Sequence, residues 1–289
     1  MGSSLHFEAP TALEYFAALV ADDASFAVTE AAIAVAQDVY PQLAPQDVLS
    51  QIDAIAHRLK KRLPADVAPL QKLRLLNRYF FQELGFAGNV NDYHDPRNSY
   101  LSDVLALRRG IPISLALIYI EIASQLGLEA SGVSFPGHFL VKLRMPRGEV
   151  VLDPFSGQSL SREDLDERLM PFRRQRGLVG DFEAPLGLFL QSAPPRDVIA
   201  RLLRNLKEIH RTAADWPRLL AVLDRLVILL PQAWEERRDR ALAHAALGQD
   251  HAAVADLALY LEQRPDAEDA EALRERLADL RRPWRPHLH

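Results

Sequence analysis

Two side chains carry the chemistry that this sequence could support: His138, inside Phe135-Pro-Gly-His-Phe139, and Asp153, inside Leu152-Asp-Pro154. A carboxylate that orients an imidazole is two thirds of a hydrolytic triad, because the oriented ring can take a proton from a nucleophile. His138 is read as opening one strand and Asp153 as closing the next, so a hairpin about Pro146-Arg147-Gly148 brings both to one end of the ribbon. The helix that starts near Pro112 would aim its N-terminus at the pair, and the free amides there favour a nucleophile or an anion. No sulfur nucleophile is available to the pair, since the sequence has no cysteine. That removes thiol catalysis, disulfides and thiolate metal sites together. His138 therefore keeps two readings: a pocket residue paired with Asp153, or a histidine whose hydrogen bonds are structural.

A second group of candidates lies in the loop Asp92–Leu101. His94, Asp95, Arg97, Asn98 and Tyr100 could line the same cleft, with Pro112 and Ser114 at the helix start. Each also has a plainer role. Asp95 before Pro96 favours a turn, and Arg97 could either grip a carboxylate or phosphate by its planar fork or form a buried ion pair tying the loop to the core. Asn98 or Ser99 suits the cap of a helix over 100–109, where a side-chain oxygen accepts an orphan amide. His94, Asp95, His138 and Asp153 include donor types that suit zinc or iron, but nothing in their spacing demands a metal, and none is expected. No cofactor is expected either.

The elements that must position these residues fall in three zones. Residues 10–90 read as a helical layer: apolar stripes run over Thr11–Ala21, Ser25–Val39, a helix starting near Pro45, and Leu70–Leu84 ended by Gly85. Residues 91–192 change character. A helix over 100–109 is followed by Gly110, which suits the left-handed residue after it. Pro112 then fits a helical first turn. The helix it opens is apolar nearly all round, as a buried central helix should be, and Gly127 ends it. Ala130–Phe135, Phe139–Arg144 and Glu149–Leu152 read as strands. Residues 193–280 are helical again, with Pro231 and Pro265, and Ala214 and Gly248, each 34 residues apart. That interval is the tetratricopeptide period. Two units are too few for a freestanding solenoid, so they are expected to pack against the middle zone. Arg204, Lys207 and Arg211 recur on one helix face, which reads as solvated or as a partner-binding stripe. Trp216 and Trp234 read as packing residues.

Composition narrows the function further. Lys plus Arg is 34 and Asp plus Glu is 39, a formal charge of −5, which argues against nucleic-acid binding. No apolar run approaches the ~20 residues of a membrane span, and Met1–Pro10 lacks the pattern of a signal peptide. A cytoplasmic location is expected. Met1-Gly2 begins like an acylation site, but His6 stands where Ser or Thr is wanted. The tail from Arg281, basic and punctuated by proline, reads as mobile.

The core arrangement resembles the transglutaminase-like (papain-like) superfamily, whose members carry Gly-x-Cys at the start of a buried helix, a histidine on a following strand and Asp-Pro after a further one. Gly110-Ile111-Pro112 stands in the place of Gly-x-Cys, so Pro112 replaces the catalytic cysteine; His138 and Asp153 match the family's histidine and aspartate. The blocks Asp95-Pro-Arg-Asn-Ser-Tyr-Leu101, Arg109-Gly-Ile-Pro-Ile-Ser-Leu115 and Pro136-Gly-His-Phe-Leu-Val141 are similar to the SirB-type bacterial family, which joins such a domain to C-terminal tetratricopeptide repeats. Proline in place of cysteine looks like a trait of that family. Ser114 lies about 200° around the helix from Pro112 and should point away from the cysteine's place; its plainer role is a first-turn hydroxyl bonded to backbone. The resemblance implies an α+β fold with N-terminal helices and a C-terminal helical repeat segment. The expected function is a non-catalytic interaction or regulatory protein, a pseudoenzyme binding a protein or peptide through its repeats. The alternative is a hydrolase in which His138 and Asp153 activate water.

Overall fold

The computed structural model describes residues 10–64, 66–178 and 184–282. The readings of the extreme N-terminus and of the tail beyond residue 282 lie outside the described residues. The chain divides into two compact units, Asp23–Leu202 and a second that joins Met1–Asp22 to Leu203–His289.

Helix α1 (Ala12–Leu19) starts at a full capping box. Thr11 accepts from the Glu14 amide, and the Glu14 carboxylate accepts from the Thr11 amide. Expected in the N-terminal layer, α1 belongs instead with the second unit, where its Phe16 ring lies under the buried Arg225 guanidinium at 4.9 Å.

The Asp23–Leu202 unit begins with α2 (Val28–Ala34), which tightens into a 3-10 turn over Val35–Asp38. The sequence pattern merged these into one helix, because 3.6- and 3.0-residue periods are indistinguishable over four residues. Helix α3 (Pro45–Lys60) has proline in its first turn and buries Val48, Ile52, Ile55, Ala56 and Leu59. Helix α4 (Pro69–Asn77) continues as a π-helical stretch, Arg78–Glu83, before Gly85 takes a left-handed φ of 73°.

A two-residue strand β1 (Ala87–Gly88) pairs in parallel with β2 (Arg109–Gly110), across α5 (Leu101–Leu107). The residue that turns left-handed after α5 is Arg108, φ 58°, and not Gly110. Glycine is needed at 110 for another reason: a Cβ there would stand 2.7 Å from the Ser114 hydroxyl and 3.1 Å from Val104.

Helix α6 (Pro112–Gln125) is the buried central helix, with Ile113, Leu115, Leu117, Ile118 and Ile122 all inside. Each such side chain stabilises by roughly 2 kcal/mol on burial. It packs against β3 (Glu129–Val133) and β4 (Leu140–Met145). With β5 (Gly148–Asp153) and β6 (Gln158–Leu160), these form a four-stranded antiparallel sheet in the order β3-β4-β5-β6. The pairs Val141↔Leu152 and Met145↔Gly148 confine the hairpin turn to Pro146 and Arg147. Strand β6 is too short and too polar to register in the sequence pattern. One face of the sheet presents Val133, Leu140 and Val151 to Leu165, Leu169 and Leu186 of α7 (Arg162–Gln175) and α8 (Leu186–Phe189). Helix α9 (Pro195–Thr212) carries the chain from one unit into the other.

In the second unit, α10 (Trp216–Leu229), α11 (Trp234–Ala246), α12 (Asp250–Gln263) and α13 (Ala270–Arg281) pack in sequence as neighbours. Trp234 packs with Ala241, Leu257 and Tyr260 in their core. The basic stripe is not simply solvated. Arg204 and Lys207 hold the buried carboxylate of Glu236 at 2.8 and 2.6 Å, and only Arg211 pairs locally, with Glu208. Among the described residues no helix is long and apolar enough to cross a membrane.

Candidate functional site

His138 sits in a tight turn just before β4 and not within it. Its amide donates to the Phe135 carbonyl at 3.1 Å, and Gly137 takes φ 71°. Pro136 and Gly137 thus occupy the central positions where such a turn favours proline and a left-handed residue. Asp153 is the last residue of β5, and the antiparallel register brings it beside the turn. The His138 Nε2 to Asp153 Oδ1 distance is 2.8 Å.

Asp153 is buried and fully engaged. Oδ1 also accepts from the Phe155 amide at 2.9 Å, and Oδ2 accepts from Arg168 Nη1 of α7 at 3.1 Å. Burial alone would raise its pKa; the hydrogen bond and charge of His138, the Phe155 amide and Arg168 outweigh that and hold the carboxyl well below its usual range. Asp153 is therefore an anionic orienter and no proton acceptor near neutrality. His138 Nδ1 has no partner among the described residues, and the side chain is 23% exposed.

Arg201 of α9 fixes the turn from below. Its guanidinium donates to the Phe135 carbonyl at 3.2 Å and the His138 carbonyl at 2.8 Å, and to the Ser134 hydroxyl at 2.8 Å. Burial lowers its pKa. The Phe155 ring lies against both sides of the site: 6.4 Å from the His138 ring, and over Gly88, where a Cβ would meet it at 2.3 Å. The Gly88 amide donates to the Phe155 carbonyl, and Gly88 pairs with Gly110, two residues before Pro112. By this route the Asp-Pro turn is tied to the start of α6.

The remaining candidates are placed as follows. Pro112 is the first residue of α6, with no N–H to offer. Ser114 is fully buried; its hydroxyl lies 2.5 Å from the Asn98 carbonyl, to which it donates, and accepts from the Ile111 amide at 3.2 Å. Asn98 caps no helix, and neither does Ser99: α5 begins after Tyr100 without a side-chain cap. Asn98 is buried and ties the preceding loop instead, donating to the carbonyls of Asp92 and Tyr93 and accepting from Asn89. Tyr100 is buried edge-on to Tyr40. Asp95 caps the 3-10 turn Pro96–Asn98 through the Arg97 amide, and the same carboxylate pairs with the Arg97 side chain. Arg97 is 56% exposed, so the ion pair is local and at the surface, not buried. His94 is exposed with its ring 5.4 Å from that of Tyr93. The described residues contain no group of three or more His, Asp or Glu placed to share a metal ion, and His94, Asp95, His138 and Asp153 do not form one.

Tyr93 lay inside the marked loop Asp92–Leu101 without being singled out, and Arg168, Arg201 and Phe155 escaped the sequence reading. Phe155 alone had a signal, its place directly after Asp153-Pro154. A cavity of about 840 Å³ opens elsewhere, lined by Ser131, Lys142, Arg144 and Glu149 among others, and its charges pair as Lys142–Glu149 and Arg144–Glu129.

The buried helix, the antiparallel sheet and the His–Asp pair at its edge define a transglutaminase-like domain. The profile of the transglutaminase-like superfamily matches residues 46–204, and a tetratricopeptide-repeat profile matches residues 206–278; the chain belongs to the transglutaminase-like superfamily, with helical repeats following the domain. A UPF0162 protein of Xylella fastidiosa (strain 9a5c) is 40% identical over 261 residues, 90% of this chain and 92% of that one. The UPF0162 protein PA3419 of Pseudomonas aeruginosa is 30% identical over 263 residues, 91% and 94% of the two chains. Protein SirB1 of Salmonella typhimurium is 28% identical over 236 residues, 81% and 84%. No solved structure matches the chain.

Proposed function

We propose that the chain is a non-catalytic interaction or regulatory protein of the bacterial cytoplasm, a pseudoenzyme on a transglutaminase-like scaffold. In this reading residues 10–90 are the helical layer, apart from α1, which packs among the repeats, 91–192 the core and 193–280 the repeats. The repeats engage a protein or peptide partner, and the His138/Asp153 site binds a ligand. One observation carries the reading: the oriented imidazole has no nucleophile in the place the superfamily uses. The sequence has no cysteine, Pro112 opens α6, and the nearby Ser114 hydroxyl is buried and bonded to backbone. Crosslinking of the full chain to co-purifying proteins, with the crosslinked residues identified by mass spectrometry, tests it. Specific crosslinks are expected within residues 193–280; their absence there counts against the repeats as the working surface.

A hydrolase in which His138 activates water is the second reading, favoured by the partly exposed ring and its unpartnered Nδ1. It predicts an activity that His138→Ala abolishes without moving the melting temperature.

A further inference from the structure

The rings of His94, Tyr93, Phe155 and His138 follow one another at 5.4, 6.0 and 6.4 Å between centroids. The row runs from an exposed loop to the Asp153 pair. Tyr93 is 42% exposed, and Val90, three residues earlier in the chain, 76%. Asn98, bonded to the Tyr93 carbonyl, holds that loop in place. Exposed rings held this firmly are a surface prepared for an apolar or planar group.

The polar end of the row is rich in donors. Asp153 supplies the carboxylate there, and its oxygens are covered by His138, Arg168 and the Phe155 amide. The same carboxylate fixes two cationic or potentially cationic side chains beside each other. Arg168 is 38% exposed, and beyond its Nη1 contact its guanidinium has no partner among the described residues. Asp164, one turn earlier, also feels the Arg168 charge, and its carboxylate is bonded to the Ser161 amide. What remains at the site is the outer part of the Arg168 guanidinium, a donor, next to an aromatic wall that includes the His138 ring.

We infer that this site takes a carboxylate carried on an apolar or aromatic group, its oxygens on the Arg168 guanidinium and its apolar part on Tyr93, Phe155 and the His138 ring. The free C-terminus of a peptide ending in an aromatic residue and a free aromatic acid share this chemistry. The inference rests on the reading of the His138/Asp153 site as a binding site.

Benzoate, titrated into the full chain and followed by the histidine and tyrosine side-chain NMR signals, tests it. His138→Gln and Tyr93→Leu assign the signals. Benzoate shifts the His138 and Tyr93 signals saturably, benzamide at the same concentrations does not, and Arg168→Gln weakens benzoate binding by about tenfold or more. Tyr93→Leu, whose ring is at the surface and clear of Asp153, weakens it while leaving the fold intact. The tetrapeptide Ala-Ala-Ala-Phe binds more tightly than benzoate if the site reads a peptide end, and no better if it reads a small acid; its C-terminal amide does not bind in either case. Equal binding of benzamide, an absence of any shift, or binding indifferent to Arg168→Gln overturns the inference. None of those results touches the non-catalytic reading, which fails separately if a His138-dependent turnover is found.

Discussion

The two units handle buried charge in opposite ways. In Asp23–Leu202 the polar groups converge: one carboxylate, Asp153, gathers an imidazole, a guanidinium and a backbone amide at a strand end. In the helical unit they are spread along α11. Glu236 pairs with Arg204 and Lys207, Arg237 with Asp256, Arg238 with Asp269, and Arg240 with both Asp224 and Asp256. A convergent cluster fixes the direction of one ring and leaves one of its nitrogens available. A distributed ladder sets the register between successive helices and leaves little charge over for a ligand. The first is built like a site and the second like a seam.

Asp153→Ala gives the largest test of that contrast. It strips three donors of their shared acceptor, two of them on ionisable side chains, and a loss of about 3–5 kcal/mol is expected. Chemical denaturation of the full chain measures it. A loss below about 1 kcal/mol would mean the cluster is far less integral than its geometry suggests. Glu236→Gln comes next. It keeps the shape and removes one charge from a ladder whose other rungs remain, because Lys207 still has Asp239. A loss of about 2 kcal/mol is expected, read from the same transition. If it costs more than Asp153→Ala, the distinction between converging and distributed charge fails.

How much of this was visible in the sequence follows the same division. His138 and Asp153 could be read because a Pro-Gly turn and an Asp-Pro step mark the strand ends, and a period of two then fixes their side. Arg168 and Arg201 could not, since either is one arginine among many on amphipathic helices, and only the tertiary fold brings them to the pair. The ladder was hidden for a related reason. Arg204 and Lys207 at helical spacing look alike whether water or Glu236, 32 and 29 residues on, receives them. Asn98 was misplaced because the side-chain chemistry that suits a helix cap suits a loop tie equally well. The helices at 112 and 45 were legible from proline in the first turn, whereas β6 had too few residues to show a period.

The units should also part company in acid. His210 of the helical unit is 3% exposed, and its Nε2 has no partner. Burial lowers its pKa, with Asp215 opposing and Arg218 adding slightly. A base with a depressed pKa binds fewer protons folded than unfolded, so its unit loses stability as pH falls below the ordinary histidine value of about 6.5. Asp153 is depressed as an acid, so its contribution persists until pH falls below about 4. Hydrogen exchange at pH 7, 5.5 and 3.5 is expected to show α9 and α10 amides around His210 loosening by pH 5.5, while β4 and β5 hold until 3.5. His210→Asn should abolish the first step and leave the second. Simultaneous loosening of both regions at one pH would break the assignment.

The smallest expected effect is at Arg97. Its side chain is more than half exposed and pairs with Asp95 only two residues away, so the pair closes no long-range contact. Solvent screens such a pair, and the Asp95 side chain keeps its turn bond to the Arg97 amide whatever side chain follows. Arg97→Ala should therefore leave the melting temperature unchanged within error and leave the His138 ring signals where they were. Arg97 stood beside Arg168 in chemical type, and each could have been the cation that meets a ligand. A shift of the His138 signals on Arg97→Ala would transfer that role to the loop; their constancy, together with a shift on Arg168→Gln, would keep it on α7, where Asp153 holds the guanidinium in place.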